Sequence, residues 1–442
     1  MNLKKYPSYR DTGIEWIGRI PRNWKISKIK YQTTINPQTL SENTENDYKI
    51  KYLDIGNVDE NGNIIEVEEY NFGDAPSRAR RIVKNGDTIV STVRTYLKAI
   101  TSIRNAPENL ICSTGFAVLR PTKGIDAVFL SYLIRSTRYV DEIVRRSTGV
   151  SYPAITSSEI GDMECILPDL KTQKTIGEFL DKKTSEIDSL VVDKERLIEL
   201  LEEKRQAIIT EVVTKGLNRN VEYKSSKIDW INEIPAHWEE KRIKYIFYDV
   251  NNRNYQEDAQ LLSLYTSIGV KPRKEMEERG NKAQTVINYK IVRKGDIVVN
   301  RILAWMGAIG LSEYEGVTSP DYDVYRALND NVNSRYFHYY FRTPFFKGDC
   351  YKYGRGIMMM RWRTYPDSFK SILVPLPPIE EQDQIVEYLD KVNAEIESLK
   401  KEINTLITKL KEYRQSIIYE AVTGKIDVSD CPIERKEETH VY

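Results

Sequence analysis

The sequence IVEYLDKVNAEIESLKKEINTLITKLKEYRQSI, Ile385–Ile417, places apolar residues at alternating steps of four and three. This heptad spacing is typical of a helix that buries a narrow stripe against a partner helix. No Gly or Pro interrupts the run, Pro378 and Glu380 form a good helix start, and Gly424 forms a good end. One long helix is therefore predicted, with a seam that consists of Ile385, Leu389, Val392, Ile396, Leu399, Ile403, Leu406, Leu410, Tyr413 and Ile417.

A matching partner helix is predicted 209 residues earlier in the same chain. Seven of the ten equivalent positions are apolar, and the other three are lysines whose aliphatic stems can cover an apolar stripe. Identities away from the seam repeat too, as in Arg205-Gln206 and Arg414-Gln415, and this argues against two unrelated amphipathic helices. The apolar seam residues of this helix are Ile176, Leu180, Ile187, Leu190, Leu197, Leu201 and Ile208.

The rest of the chain is duplicated in the same order. The double-tryptophan segment Trp16–Trp24 returns as Trp230–Trp238, and both copies are expected to fold with packed rings. A Gly-Asp turn before an apolar strand at Val83–Val90 returns at Val292–Val299. Elsewhere the two regions of short predicted strands and helices, here called heads, share few residues. We therefore expect the two long helices to share one function and the two heads to have two separate functions.

These observations predict an α+β fold with two α/β heads, in a pseudo-two-fold arrangement, separated by two long helices that form an antiparallel coiled coil. Antiparallel packing would place one head at each end of the helix pair, at a set spacing. The predicted boundaries are residues 1–165 for the first head with its double-tryptophan segment, 166–216 for the first helix, 217–373 for the second head, 374–426 for the second helix and 427–442 for a polar tail.

Composition excludes several classes of protein. With 40% hydrophobic and 30% charged residues and no apolar run long enough to span a membrane, the chain has the composition of a cytoplasmic protein. Four scattered cysteines argue against a disulfide framework or a cysteine zinc site, and three histidines are too few for a metal cluster. The net charge of +1 does not indicate a nucleic-acid binder, so any such function depends on local basic clusters.

No catalytic motif stands out. The chain lacks a glycine-rich phosphate loop and the Asn/Asp-Pro-Pro-aromatic tetrapeptide of amino-methyltransferases. Pro168-Asp169 followed by Asp181-Lys182-Lys183 has the residue types of a restriction-type nuclease. The second group falls on the heptad helix, however, and solvated helix charges explain it better. We predict no catalytic and no metal-binding residue.

Basic clusters in both heads are the candidate binding residues. They contain few acids, and the second cluster is interleaved with Tyr351, Tyr353 and Trp362. Arginine can grip phosphate or read guanine with its planar fork, and lysine supplies a point charge for phosphate, although such clusters are often only solvated surface. The predicted DNA-binding residues are Arg78, Arg80, Arg81, Arg94, Lys98, Arg104, Arg301, Lys352, Arg355, Arg361 and Arg363.

The duplicated layout resembles the specificity subunit of type I restriction–modification systems. The resemblance covers the chain up to the tail. It rests on the double-tryptophan segments, on the run Pro375–Gln382 and on the helix ends Arg205–Thr214 and Arg414–Asp427.

This resemblance implies two target-recognition domains, each reading one half of a bipartite double-stranded DNA target. The helices would set the spacer and dock two modification subunits, which would bind S-adenosylmethionine and methylate adenine. A restriction subunit that uses ATP and Mg could join this prokaryotic complex for defence against foreign DNA. The chain itself would be a non-catalytic subunit without a cofactor. Two alternatives remain open, namely a coiled-coil scaffold that binds only proteins and an enzyme with an unrecognised active site.

Overall fold

The computed structural model describes residues 4–266, 268–275, 285–356 and 362–431, and the chain forms two compact units. Unit 1 comprises Met1–Lys194 with Thr405–Tyr442, and unit 2 comprises Glu195–Asn404. The sequence predicts heads and helices as separate segments. In the structure each head and the adjoining halves of both long helices share one hydrophobic core.

Two of the described helices are much longer than the others, as predicted. The helices are α1 (Ile29–Gln32), α2 (Ala127–Arg135), α3 (Thr137–Arg146), α4 (Ser157–Asp162), α5 (Leu170–Lys215), α6 (Ser334–Phe341), α7 (Pro344–Lys352), α8 (Pro366–Ser371) and α9 (Ile379–Val422).

The strands are short. In unit 1 they are β1 (Tyr9–Asp11), β2 (Arg19–Pro21), β3 (Lys25–Lys28), β4 (Thr33–Ile35), β5 (Lys49–Leu53), β6 (Glu68–Asn71), β7 (Ala79–Ile82), β8 (Thr88–Ser91), β9 (Ile100–Ser102), β10 (Leu110–Ser113), β11 (Phe116–Pro121) and β12 (Glu164–Leu167). In unit 2 they are β13 (Tyr223–Ser225), β14 (Glu233–Pro235), β15 (Glu239–Arg242), β16 (Phe247–Asp249), β17 (Leu262–Tyr265), β18 (Gly269–Pro272), β19 (Lys290–Val292), β20 (Ile297–Asn300), β21 (Ile309–Leu311), β22 (Gly316–Thr318), β23 (Tyr322–Ala327) and β24 (Leu373–Leu376).

Both heads are built on one antiparallel four-stranded sheet. Its strand order is β4-β11-β8-β9 in unit 1 and β16-β23-β20-β21 in unit 2, which is the same order of equivalent strands. The internal duplication is thereby confirmed. The pairs β1-β2 and β3-β12 of unit 1 also recur in unit 2, as β13-β14 and β15-β24. The other strands differ, because unit 1 has a second four-stranded sheet, β6-β5-β10-β7, whereas unit 2 has the two-stranded pairs β17-β18 and β19-β22.

The repeated Gly-Asp turn has a structural explanation. Asp87 is buried and accepts hydrogen bonds from Arg120 Nε at 2.8 Å and Nη2 at 2.7 Å. Asp296 is equally buried and accepts from Arg326 Nε at 2.7 Å and Nη2 at 2.8 Å. These hydrogen bonds raise the pKa of both guanidinium groups. Each turn is thus tied to the central strand of its sheet by the same charged pair.

The two glutamines that the sequence repeats join each long helix to its head. Gln173 Oε1 accepts a hydrogen bond from the backbone N–H of Asp126 at 2.8 Å, at the residue that caps α2. Gln382 Oε1 accepts from the backbone N–H of Asn333 at 2.8 Å, at the cap of α6. Both glutamines are buried. The start of each long helix is therefore fixed to the first turn of a head helix.

The double-tryptophan segments pack where the long helices end. Trp238 lies against Gly216 after α5, and Trp24 and Pro21 lie against Gly424 after α9. Both glycines have positive φ, 71° and 68°, and a Cβ would lie 3.1 Å from the Trp238 ring or 2.5 Å from Pro21. The predicted burial of the rings is confirmed for Trp24 and Trp238. Glycine is required at both helix ends for backbone conformation and for space.

The long helices pack in antiparallel fashion. In unit 2, Glu202 contacts Lys400 at 3.4 Å, and Arg205 contacts Glu397 at 2.9 Å. Residue numbers therefore rise along α5 where they fall along α9. In unit 1, Arg414 donates to Asp188 at 2.8 and 3.1 Å.

Arg414 is the equivalent of Arg205, and Asp188 is the equivalent of Glu397, at the 209-residue offset of the repeat. The unit 1 pair is therefore the same contact as the Arg205–Glu397 pair of unit 2, with α5 and α9 exchanged. The predicted antiparallel coiled coil is confirmed.

The predicted strict heptad seam is wrong at five positions. Leu190, Leu197, Leu399, Leu406 and Tyr413 are between 39% and 50% exposed. The other predicted seam residues are buried or half-buried, namely Ile176, Leu180, Ile187, Leu201, Ile208, Ile385, Leu389, Val392, Ile396, Ile403, Leu410 and Ile417.

The exposure of those five residues follows from the spacing of the inward-facing residues. In each helix, one spacing of three residues is replaced by a spacing of four, which we call the extra step of four. After Ile187 the next buried position is Val191, and after Ile396 the next inward position is Lys400, which is half-buried. A strict seven-residue repeat drifts by about 20° per heptad on a straight helix, and an additional step of four corrects the drift. The inward face of α9 therefore continues through Ile407 rather than Leu406.

The packed chain continues beyond the predicted boundary at 426. The Asp427 backbone N–H donates to the Lys4 carbonyl oxygen at 2.8 Å, and Val428 is buried in the unit 1 core. Of the predicted polar tail, residues 427–431 thus belong to unit 1, and residues 432–442 lie outside the described part of the chain.

Candidate nucleic-acid interface

Two loops meet at the end of β8 in the first head, and we call residues 92–98 and 147–154 loop pair 1. The Ile155 backbone N–H donates to the Thr92 carbonyl oxygen at 2.9 Å, and the Arg94 N–H donates to that of Pro153 at 2.8 Å. The hydroxyl groups of Thr95 and Ser147 are hydrogen bonded at 2.7 Å. Residues that are far apart in the sequence therefore form one surface.

Loop pair 1 presents cations and apolar side chains together. The Arg94 guanidinium lies 4.8 Å from the ring centre of Tyr152, and Arg94, Lys98 and Tyr152 are exposed. Within the described residues, neither Arg94 nor Lys98 has a carboxylate partner. A 3-10 turn at Thr95–Leu97 separates the two cations and carries the exposed Tyr96. The surface is thus positive and suited to an anionic, partly apolar partner.

The second head carries the equivalent loop pair 2, described for residues 301–307, 355–356 and 362–363. The Thr364 N–H donates to the Arg301 carbonyl oxygen at 2.9 Å, as Ile155 does to Thr92. Arg355 and Arg363 exchange two backbone hydrogen bonds of 2.8 and 3.0 Å. Residues 357–361 of this loop pair, including the predicted Arg361, lie outside the described residues.

Aromatic rings support loop pair 2. The Trp362 ring stacks on Tyr351 with centroids 5.0 Å apart, and Trp305 meets the same Tyr351 edge-on at 6.0 Å. The Arg355 guanidinium lies 5.8 Å from the ring centre of Tyr365, and Arg363 is exposed. Both arginines lack a carboxylate partner among the described residues.

The predicted DNA-binding residues of the first head do not form one surface. Arg94 and Lys98 lie in loop pair 1, whereas Arg78, Arg80 and Arg81 lie at or on β7 in the other sheet of that head. Arg80 lies over the Phe72 ring at 4.5 Å, and the buried Arg81 Nε has no hydrogen-bond partner among the residues that the structure describes. All of these residues remain predictions as DNA contacts.

Three predicted cations are engaged in ion pairs within their own unit. Arg104 binds Asp181 of α5 through two hydrogen bonds of 3.1 and 2.9 Å. Lys352 forms an ion pair with Asp229. Arg301 donates to the buried Asp323 at 2.8 and 2.6 Å, and Lys290 also binds Asp323 at 3.0 Å. Structural pairing therefore accounts for these three residues without a DNA partner.

Sequence reasoning did not identify Tyr152 as part of the site. Nothing near it in the sequence links it to Arg94, because a β-bridge between Val93 and Ala154 brings the two loops together. The equivalent bridges Thr148–Ala154 and Arg355–Arg363 appear only in the structure, because the residues at these positions differ between the two halves of the sequence.

The long helices also carry exposed apolar residues at repeated positions. The five exposed residues that depart from the heptad seam are called the leucine stripes, one set on each helix. Leu190 and Leu197 lie on α5, and Leu399, Leu406 and Tyr413 lie on α9. Leu190 is equivalent to Leu399, and Leu197 to Leu406, at the offset of 209. Two exposed leucines therefore recur on both helices, whereas Tyr413 is equivalent to Lys204.

The described residues contain no cluster of His, Cys, Asp or Glu side chains that could hold a metal ion. Burial raises the pKa of the Cys112 and Cys165 thiols to about 12, so neither supplies a thiolate at neutral pH. In the part of the chain that the structure covers, no helix has the length and apolarity of a membrane span.

Comparison with known proteins identifies the family. Residues 21–200 and 235–409 match the type I restriction modification DNA specificity domain, once in each half of the chain. The chain is 23% identical to the type I restriction enzyme EcoKI specificity subunit of Escherichia coli, over 92% of this chain and 90% of that protein. It is 22% identical to the StySPI specificity subunit of Salmonella potsdam, with the same coverage of both chains.

Solved structures show the same fold. A chain from a study of complex assembly and conformational transition in a type I R-M system superposes with a TM-score of 0.72 at 21% identity, over 91% of this chain and 98% of that one. The HsdS subunit from Thermoanaerobacter tengcongensis superposes with a TM-score of 0.55 at 21% identity, over 92% and 98%. Because the domain model covers most of the chain, in two copies, the chain belongs to the type I restriction–modification DNA specificity family.

Proposed function

We propose that each head reads one half of a bipartite DNA target through its loop pair, and that the long helices hold the two readings at a fixed spacer. The chain is a non-catalytic specificity subunit by family membership. The observation that carries the proposal is the pair of equivalent, cation-bearing loop surfaces. They lie at the same place in both heads but are built from different residues.

Electrostatics favours DNA as the partner of these surfaces. Arg94, Lys98, Arg355 and Arg363 have no carboxylate partner in the part of the chain that the structure describes, and each can neutralise a phosphate and release its counterions. An arginine that reaches a base edge adds roughly 1–3 kcal/mol of discrimination, so a few such contacts in each head suffice for sequence specificity. The difference between the heads in these side chains fits two unlike half-sites.

The leucine stripes fit the docking of two copies of one partner. A stripe repeated on α5 and α9 offers the same apolar contact twice, and the partners we propose are two modification subunits. They would bind S-adenosylmethionine and methylate adenine, and a restriction subunit with ATP and Mg would complete the complex in a prokaryotic cytoplasm. No cofactor is assigned to this chain.

Methylation mapping tests this function. The chain is purified with its modification subunits, and the methylated sequence is mapped across a genome. We expect an interrupted motif with two constant halves separated by a fixed spacer. A contiguous motif would contradict the proposal.

Binding to a duplex that carries the mapped motif tests the loop surface itself. The double variant Arg94→Ala/Lys98→Ala is expected to lower affinity and to reduce the slope of log Kobs against log salt by about 1 for each lost phosphate contact. Lys123→Ala is the control, because Lys123 is an exposed cation of the same head outside the loop pair. Equal effects of the control and the loop variant would refute the assignment. Binding that is insensitive to salt would favour a scaffold that binds only proteins.

A further inference from the structure

Each loop pair carries an aromatic residue followed by Leu or Met, a partly exposed dipeptide that we call the apolar tip. It is Tyr96-Leu97 in the first head and Trp305-Met306 in the second, at the 209-residue offset of the repeat. Tyr96 is 51% exposed, Leu97 42% and Met306 49%, and Trp305 is half-buried. The residues differ between the heads, but their chemical class and position are the same. Single exposed apolar residues are common, whereas the same pair at equivalent loops of two otherwise different heads requires an explanation.

The tip of the first head is held rigidly. Arg94 and Lys98, on either side of the 3-10 turn, have φ values of 51° and 55°, in the left-handed region that such residues rarely adopt. The Leu97 N–H donates to the Arg94 carbonyl oxygen at 2.9 Å, and the buried Thr95 is hydrogen bonded to Ser147. Unfavourable backbone conformations of this kind persist where surrounding contacts enforce them, and they cluster at ligand sites.

The tip of the second head is supported in a different way. Gly307, with φ 93°, ends its 3-10 turn, and the Trp305 ring packs edge-on against Tyr351. The Gly307 N–H donates to the Ala304 carbonyl oxygen at 2.8 Å and the Met306 N–H to that of Leu303 at 2.9 Å, so backbone hydrogen bonds hold this turn as well. Both tips are therefore preorganised for insertion.

The charges beside the first tip indicate the chemistry of its partner. Arg94 and Lys98 flank the first tip and lack carboxylate partners among the described residues, so a negatively charged partner is favoured over an apolar protein surface. Duplex DNA offers phosphates for the cations and a base stack for the apolar side chains. Leucine, methionine and aromatic wedges are known to enter base steps in this way, with cations on the adjoining phosphates.

We propose that the apolar tip of each head inserts at one base-pair step of the half-site that the head reads and partly unstacks it. This inference rests on the proposed function. Specificity would then depend partly on how easily that step deforms, because flexible pyrimidine–purine steps unstack more readily than others. Tyr96, Leu97, Trp305 and Met306 would act as specificity-determining residues without reading base edges.

The test uses the complete complex with its modification subunits and the DNA target found by methylation mapping. 2-Aminopurine is placed at successive positions of each half-site, away from the methylated adenines, and its fluorescence is measured with and without protein. We expect a several-fold increase at one step of each half-site. Tyr96→Ser/Leu97→Ser should abolish the increase in one half-site and leave the other unchanged, and Trp305→Ser/Met306→Ser should do the reverse. The unchanged half-site reports that the variant is folded and bound.

Tyr31→Ser is the matched control, because Tyr31 is an exposed aromatic residue of the first head outside the loop pair. Signals that persist in both tip variants would come from the modification subunits and would overturn the insertion. Salt-dependent binding without any increase in the wild-type complex would overturn the insertion and leave the proposed function intact. Absence of salt-dependent DNA binding would refute both.

Discussion

The extra step of four in the helix seam makes opposite predictions for two adjacent residues of α9. Ile407 is 7% exposed and Leu406 is 46% exposed, although a strict heptad places Leu406 in the seam and Ile407 outside it. Truncating a nearly buried isoleucine to alanine removes apolar burial and leaves a cavity, at a cost of about 2–4 kcal/mol. Truncating a leucine that keeps half of its surface in water costs about 1 kcal/mol or less, because leucine and alanine have similar helix propensities.

Calorimetry of the full chain measures this difference. For a folding unit of 150–250 residues, 1 kcal/mol shifts Tm by roughly 2–4 °C. Ile407→Ala should therefore lower the Tm of the unit 1 transition by roughly 4–16 °C, and Leu406→Ala by roughly 4 °C at most. Equal losses, or a larger loss for Leu406→Ala, would show that the seam follows the strict heptad and that the extra step of four is wrong. Leu406→Ala should also weaken binding of the modification subunits, whereas a Lys401→Ala control on the outer face should not.

Three further predictions concern charged groups. Asp188→Ala should destabilise unit 1 more than Arg414→Met, by about 1–2 kcal/mol in thermal unfolding, because it leaves a buried guanidinium unpaired while methionine keeps the packing. Arg301→Ala should lower the Tm of unit 2, because it removes a partner of the buried Asp323, whereas Arg94→Ala should lower affinity for one half-site and leave Tm unchanged. Burial and two neighbouring arginines lower the pKa of His338 to about 3. Since an unfolded histidine titrates near 6.5, unit 2 should lose up to about 2 kcal/mol between pH 6.5 and 5, and His338→Gln should flatten this dependence in pH-resolved denaturation.

The sequence predicted those parts of the fold that depend on local pattern or on repetition. Helix existence, antiparallel pairing and the duplication follow from periodicity and from the 209-residue offset, and all are confirmed. The middle of the seam could not be predicted in the same way. In each of the dipeptides Leu399-Lys400 and Leu406-Ile407, either residue could occupy the inward position. Only the accumulated rotation of the helix decides which of the two does so.

The candidate site was predicted less completely, because contacts distant in the sequence determine which cations are free. Arg104 binds Asp181, 77 residues away, and Lys352 binds Asp229, 123 residues away. Arg94 acquires its aromatic neighbour Tyr152 only through a bridge between two loops. A linear cluster of basic residues cannot separate these cases, since it carries no information on which carboxylate each cation meets in the fold.

The spacer of the DNA target tests the central claim, which is that the paired helices determine the distance between the two half-sites that the heads recognise. One heptad is inserted into α5 and one into α9, at positions that face each other in the antiparallel pair, and the methylated sequence is mapped. Seven residues lengthen each helix by about 10 Å and add about 20° of rotation. A length of about 10 Å corresponds to about 3 base pairs of DNA. We predict that both half-sites stay the same while the spacer lengthens by about that amount. An unchanged spacer, or altered half-sites, would contradict the account.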